Sequence, residues 1–296
     1  MDNRKIDLHV HSTESDGTFT PEEVVALAKE SHLSAIALTD HDTVSGVEKA
    51  QKAAKQLELE LIPGVELSTE YQVSEKETKE IHIVGLFIDT KNKELLQKTA
   101  EFRDCRDRRN EIMVKRLQQE GFAITMEALT AENPDSVITR ANIARFLYNH
   151  GCIKSIKEAF DRYIGDGCPC YVGRFKISPA QAAELIGRAG GISVLAHPLL
   201  YHLAPADLNR LICELKAAGL AAIEAVYSTY STADEQLVKK MAIENNLLIS
   251  GGSDFHGTNK PDIRLGVGKG HMYLPYSVLD SLKDYMTAKN KSNQAK

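Results

Sequence analysis

Short apolar runs recur along this chain, and most of them end in a polar cluster. Ile6, Leu8 and Val10 alternate with Asp7, His9 and His11, the two-residue period of a strand. Ala35-Ile36-Ala37-Leu38 ends in Thr39-Asp40-His41-Asp42, and helical spacing follows through Val47, Ala50 and Ala54. Glu60-Leu61-Ile62-Pro63-Gly64-Val65 ends in Glu66-Leu67-Ser68, and the run from Ile81 to Phe87 carries His82 inside it. Ile192 to Ala196 ends in His197-Pro198, Ala222 to Tyr227 in Ser228-Thr229, and Leu247 to Gly252 in Ser253-Asp254-Phe255-His256. Near-continuous apolar strands alternating with amphipathic helices predict a parallel sheet covered by helices. A barrel gathers the C-terminal ends of its strands onto one mouth, where catalytic residues sit, whereas an open sheet spreads them along an edge. The pattern therefore favours a distorted (β/α) barrel of about seven strands.

One stretch breaks this grammar. Residues 94–174 are mostly helical in pattern, with helix starts predicted at Thr125 and Ser155 and a loop around Glu132-Asn133-Pro134-Asp135. They form an expected helical subdomain inserted into a barrel made of residues 1–93 and 175–288. The polar segment 289–296 reads as a frayed, disordered tail.

Composition excludes several classes. The chain has 296 residues, 43% of them hydrophobic and 26% charged, with net charge -5, which argues against a nucleic-acid coat or a disordered chain. Cys105, Cys152, Cys168, Cys170 and Cys213 are odd in number and irregularly spaced, so free thiols in a reducing cytoplasm are expected. No apolar leader or bilayer-length run is apparent, and neither a membrane nor a stable nucleic-acid partner is expected.

The chemistry lies in the strand ends. His9 and His11 should emerge side by side on one strand face. Two ordinary histidines would look the same, but His41, His82, His197 and His256 also lie in or just beyond strands, together with Asp16, Glu66 and Asp254. Chance would not place so many imidazoles and carboxylates this way. Nine mixed ligands exceed one ion and suit two or three divalent ions, with manganese, iron or zinc all accepting such donors. Multinuclear sites of this kind hydrolyse phosphoesters, with hydroxide made from bound water attacking phosphorus in line. Deamination or amide hydrolysis is the alternative from ligand chemistry alone. His32, His150 and His271 show no such placement.

The ordered motifs His-x-His-x4-Asp-Gly, Thr-Asp-His-Asp, Pro-Gly-Val-Glu, Ile-His-Ile-Val-Gly, Ala-His-Pro and Gly-Ser-Asp-Phe-His-Gly resemble the polymerase and histidinol phosphatase (PHP) superfamily over nearly the whole chain. The resemblance implies a distorted (β/α)7 barrel with a trinuclear metal site, manganese preferred. It implies that His9, His11, Glu66 and Asp254 hold one ion and carry the catalytic role. Glu66 would bridge to a second ion completed by His82 and His197, and Asp16, His41 and His256 would hold the third. Asp40 would orient a ligand imidazole or serve simple turn chemistry. The segment Ile138 to Arg145 is most similar to the bacterial branch that removes the 3'-phosphate of nucleoside 3',5'-bisphosphates and trims short RNA from the 5' end. A histidinol-phosphate-type phosphatase and a non-catalytic metal-stabilised module are the alternatives.

A second substrate phosphate needs a cation outside the metal site. Arg140 is the preferred clamp, because a guanidinium gives bidentate contact. Arg145, Arg174, Lys176, His202 and Arg264 are further candidates. The run Arg103, Arg106, Arg108, Arg109, Lys115, Arg116 is interspersed with acids and reads as a solvated, salt-paired helix face, with an RNA track as the alternative.

Overall fold

The computed structural model describes residues 4–133, 137–173 and 176–294. All seven expected strands form: β1 (Lys5–Val10), β2 (Leu33–Leu38), β3 (Glu60–Ser74), β4 (Glu77–Leu86), β5 (Ile192–Leu195), β6 (Leu220–Tyr227) and β7 (Leu248–Gly252). They lie in one sheet in chain order. The sheet is mostly parallel, but β4 runs antiparallel to both β3 and β5. This corrects the all-parallel expectation: β3 and β4 are joined by a tight turn after Ser74, which leaves no room for a crossover helix. Hydrogen bonds from Asp254 N–H to His9 O (2.9 Å) and from His11 N–H to Phe255 O (3.0 Å) join the ends of the first and last strands. Gly252 permits that approach, since a Cβ there would collide with the Cβ and backbone nitrogen of His9.

Helices α1 (Pro21–Glu30), α2 (Val47–Gln56), α7 (Pro179–Arg188), α8 (Pro205–Ala217) and α9 (Thr232–Glu244) follow strands or lead into them and pack on the sheet. Thr20 starts α1 with a capping box to Glu23 and proline at the first turn. The intervening helical segment holds α3 (Lys93–Gln119), α4 (Met126–Glu132), α5 (Arg140–Asn149) and α6 (Ile156–Ala159). Thr125 and Ser155 cap α4 and α6 as the sequence suggested. Part of the expected loop at Pro134 and Asp135 lies outside the described residues. Leu95 and Phe102 of α3 belong to the sheet's core, while Met113, Leu117, Leu129, Ile143, Leu147 and Ile164 form a separate core. Helix α10 (Tyr276–Gln294) continues through most of the expected tail, because its register carries on past Lys289, whose Nζ donates to Gly191 O at 2.7 Å.

Candidate metal centre

His9 and His11 leave β1 side by side, their ring centroids 5.1 Å apart, and both are buried. They meet Glu66, which lies in the middle of β3 rather than at its end, because the strand runs on into the hairpin. Glu66 Oε2 is 3.2 Å from His9 Nε2, 3.3 Å from His11 Nε2 and 3.1 Å from His41 Nδ1. Its Oε1 is 3.0 Å from His82 Nδ1 and 3.3 Å from His197 Nε2. His82 reaches the same point from inside β4 because that strand runs the opposite way, which places it across the hairpin, opposite Ser68.

Asp254 Oδ1 lies 3.3 Å from both His11 Nε2 and His256 Nδ1, and 3.7 Å from His9 Nε2. Asp16 Oδ1 lies 3.1 Å from His256 Nε2, 3.9 Å from His11 Nδ1 and 4.0 Å from His41 Nε2. The nine residues thus form one continuous cluster. Their ligand atoms fall into four overlapping groups: His11, Asp16, His41 and His256; His9, His11 and Asp254; His9, Glu66 and His197; His41, Glu66 and His82. His82 and His197, expected to share an ion, occur in different groups, with Glu66 common to both. Among the described residues, His9 Nε2, His11 Nε2, His41 Nδ1, Asp16 Oδ1 and Glu66 Oε2 are buried without a hydrogen-bond partner. Buried polar atoms are otherwise almost always paired, so orphaned donors aimed at one another fit divalent cations.

The electrostatics follow from burial among opposite charges. Burial works to raise Glu66, but His41, His9 and His82 hold its carboxyl well below the usual range. Burial works to lower His11, yet Asp254 and Glu66 push it up to about 9. His82, likewise opposed by burial, is pushed up to about 10 by Glu66 and Glu80. For His41, burial wins and drives the imidazole down to about 3.

Two supporting acids orient the ligands. Glu224 Oε1 lies 3.1 Å from His9 Nδ1, and its Oε2 accepts the His197 N–H at 2.8 Å. A neutral His9 donating from Nδ1 to Glu224 leaves Nε2 free as a ligand. Glu224 was not among the expected site residues, although a lone carboxylate inside the apolar run Ala222 to Tyr227 is the signal that marks it. Among the described residues, Asp40 makes no hydrogen bond to an imidazole. It accepts from Ser12 N (2.7 Å), Ser12 Oγ (2.6 Å) and Ser15 Oγ (2.6 Å), and so fixes the loop that carries Asp16.

A cavity of about 210 Å³ opens beside Asp16, His41 and His82 and is walled by Arg106, Arg109, Arg140 and Lys176. Arg140 opens α5 and lies 3.6 Å from Glu80 Oε2, where Lys176 Nζ also pairs at 2.6 Å. Arg106 and Arg109 correct the reading of α3 as a solvated face: both are buried, and Arg106 pairs with Asp42. They share one buried stripe of α3 with Leu95, Thr99, Phe102 and Met113. The other candidates lie elsewhere. Arg145 lines a different cavity with Gly17 and Asn259, and Arg264 another with Phe19 and Phe255. His202 is exposed beyond the turn at Pro198–Tyr201, and Arg174 lies outside the described residues.

An α/β sheet that converges buried imidazoles and carboxylates on one point offers the donor set of a metal-dependent hydrolase. A family model described as the PHP domain matches residues 7–177, more than half of the chain, and the chain belongs to the PHP-domain family. It is 35% identical over 253 residues to a 5'-3' exoribonuclease of Haemophilus influenzae, covering 86% of this chain and 90% of that one. It is 34% identical to a 3',5'-nucleoside bisphosphate phosphatase of Chromobacterium violaceum, covering 85% and 87%. A solved structure from Chromobacterium violaceum, described as an amidohydrolase with bound sulfate and no metal, superposes with TM-score 0.82 at 31% identity, over 95% of this chain and 96% of that one. One from Bifidobacterium adolescentis, described as a metal-dependent phosphoesterase, does so with TM-score 0.80 at 28% identity, covering 94% and 95%.

Proposed function

We propose that this protein is a metal-dependent phosphoesterase that removes the 3'-phosphate from nucleoside 3',5'-bisphosphates and trims short RNA from the 5' end. The observation that carries the reading is a nine-residue ligand cluster opening directly onto a cavity walled by cations. The relatives named as exoribonuclease and bisphosphate phosphatase support the same substrate class.

His9, His11, Asp16, His41, Glu66, His82, His197, Asp254 and His256 would hold about three divalent ions, manganese by preference. Bound there, such ions supply charge neutralisation at phosphorus and an activated water at neutral pH. The chain's own part is positioning. Glu66, facing five imidazoles, holds the cluster together, while Glu224 and Asp40 fix His9 and the Asp16 loop. Arg140, Arg109 and Lys176 would bind the phosphate that is not cleaved, because a substrate with two phosphates needs a cation outside the ligand set. His202 and Arg264 carry less of this reading, since among the described residues neither lines the cavity, and Arg174 lies outside the described residues.

The hydrogen bonds between the β1 and β7 ends support a closed, distorted barrel, and the cavity that Arg106, Arg109 and Arg140 share with Asp16 and His41 supports a helical insertion beside its mouth. Five free cysteines support a reducing cytoplasmic setting, and among the described residues no helix is long and apolar enough to cross a membrane.

The test is a substrate panel on metal-loaded protein: adenosine 3',5'-bisphosphate, short 5'-phosphorylated RNA, histidinol phosphate and an aryl phosphate. Conversion of the bisphosphate to adenosine 5'-monophosphate is the expected outcome. Preference for histidinol phosphate would overturn the substrate class, and silence on all four with metal bound would leave a non-catalytic module.

A further inference from the structure

Asp254 differs from the other carboxylates of the cluster in what its two oxygens do. Oδ1 faces the imidazoles of His9, His11 and His256. Oδ2 is turned away and accepts two short hydrogen bonds, from Tyr227 OH and from Lys260 Nζ, each at 2.6 Å. The Tyr227 phenol is buried, while the Lys260 side chain is partly exposed and tied to the carboxylate by this bond. The Tyr227 ring lies 5.4 Å from His197 and 5.3 Å from Tyr230, centroid to centroid, at the end of β6. Lys260 closes the turn after His256, its N–H donating to Gly257 O at 3.2 Å. The Asp254 backbone is fixed at φ 55 in the left-handed region, with its N–H bonded to His9 O.

We infer that Tyr227 and Lys260 are positioning residues that restrict Asp254 to one ligating oxygen, and thereby bias the centre against larger, oxygen-preferring cations such as Ca²⁺. The inference rests on the metal-centre reading above. A carboxylate binds an ion through both oxygens only if both can face it. Turning Oδ2 inward would break a charge-assisted hydrogen bond and strand a buried hydroxyl. Ca²⁺ takes six to eight oxygen ligands, commonly through bidentate carboxylates, so a rigid single-oxygen aspartate disfavours it. The ammonium also withdraws negative charge from the site, and hard cations depend on that charge most. Loss of Lys260 therefore acts in one direction through both effects: it leaves Oδ2 held by Tyr227 alone and removes a competing cation.

The experiment is Mn²⁺ binding, followed by the electron paramagnetic resonance signal of free Mn²⁺, with Ca²⁺ as competitor. Unsubstituted protein is compared with Lys260→Met, Lys260→Arg and Tyr227→Phe, each checked for folding by circular dichroism. Lys260→Met is expected to shift the ratio of Ca²⁺ to Mn²⁺ affinity upward by about tenfold, within the roughly 10–100-fold change in metal affinity that follows loss of a ligand's outer partner. Tyr227→Phe is expected to shift the ratio less but in the same direction, and Lys260→Arg to leave it near its original value. An unchanged ratio in folded Lys260→Met overturns the inference while the metal centre stands. Should that variant not fold, Tyr227→Phe decides in the same way, since it removes only a hydroxyl. Failure of the unsubstituted protein to bind Mn²⁺ overturns the metal-centre reading and the inference with it.

Discussion

Glu66 is the residue on which the site turns, because one buried carboxylate faces five imidazoles. Glu66→Gln keeps the shape but removes the charge, and is expected to weaken divalent metal binding at least about tenfold by calorimetry, with the circular dichroism spectrum retained. Protons compete with metal at the same atoms. His11 at about 9 and His82 at about 10 both carry a proton at pH 7 in the metal-free protein. Ligation needs neutral imidazole, so loading metal at pH 7 should release protons, and affinity should fall as pH is lowered. Indicator-dye titration of the metal-free protein checks this. Stability follows with the opposite dependence. Both histidines are raised above the ordinary value of 6.5, so their contribution is full below about that pH and is lost as pH rises through about 9 and 10. Metal-stripped protein should therefore melt at a lower temperature at pH 10 than at pH 7. An unchanged melting temperature would show that these imidazoles are neutral throughout.

At the scale of the element, α3 does more than connect. Its first half is pinned to the sheet by Leu95 and Phe102, and Arg106 on the same stripe pairs with Asp42, whose Oδ1 accepts the Ser68 N–H of β3 at 2.9 Å. Removing one partner of a buried ion pair leaves the other uncompensated. Arg106→Met is expected to cost about 3 kcal/mol in urea unfolding, with part recovered on adding Asp42→Asn. Arg140 belongs to α5 and, among the described residues, is linked to His82 through Glu80. Arg140→Ala should raise KM for adenosine 3',5'-bisphosphate while leaving the metal content unchanged. A fall in metal content instead would make Arg140 part of the centre's support. The α3 arginines were legible as charge but not as buried charge, since a solvated face and a lined cavity share the same spacing until the facing element is known.

Over the whole molecule, the nine candidate ligands come from every strand or strand end except β6, which supplies Glu224 and Tyr227 beside them. Such a centre exists only when the sheet brings the β7 end against β1. Gly252 is the hinge of that contact. Gly252→Val would drive a side chain into His9, and should lower both metal binding and the melting temperature together, whereas Glu66→Gln lowers metal binding far more than the fold's intrinsic stability. Parallel measurement of metal stoichiometry and metal-free melting separates the two.

The sequence by itself determined the strands, the two capped helices at Thr125 and Ser155, and the nine candidate ligands. Those depend on local periodicity and on residue types whose chemistry is narrow. Only the tertiary structure decided the antiparallel hairpin, the burial of Arg106 and Arg109, the loop-fixing role of Asp40, and the clamp of Tyr227 and Lys260 on Asp254. Each of these is a relation between segments distant in the chain or across a turn, and hydrophobic period records which face a residue takes but not what that face meets. His9 and His11 were visible as a pair, while the carboxylates that make them a centre became neighbours only through the fold.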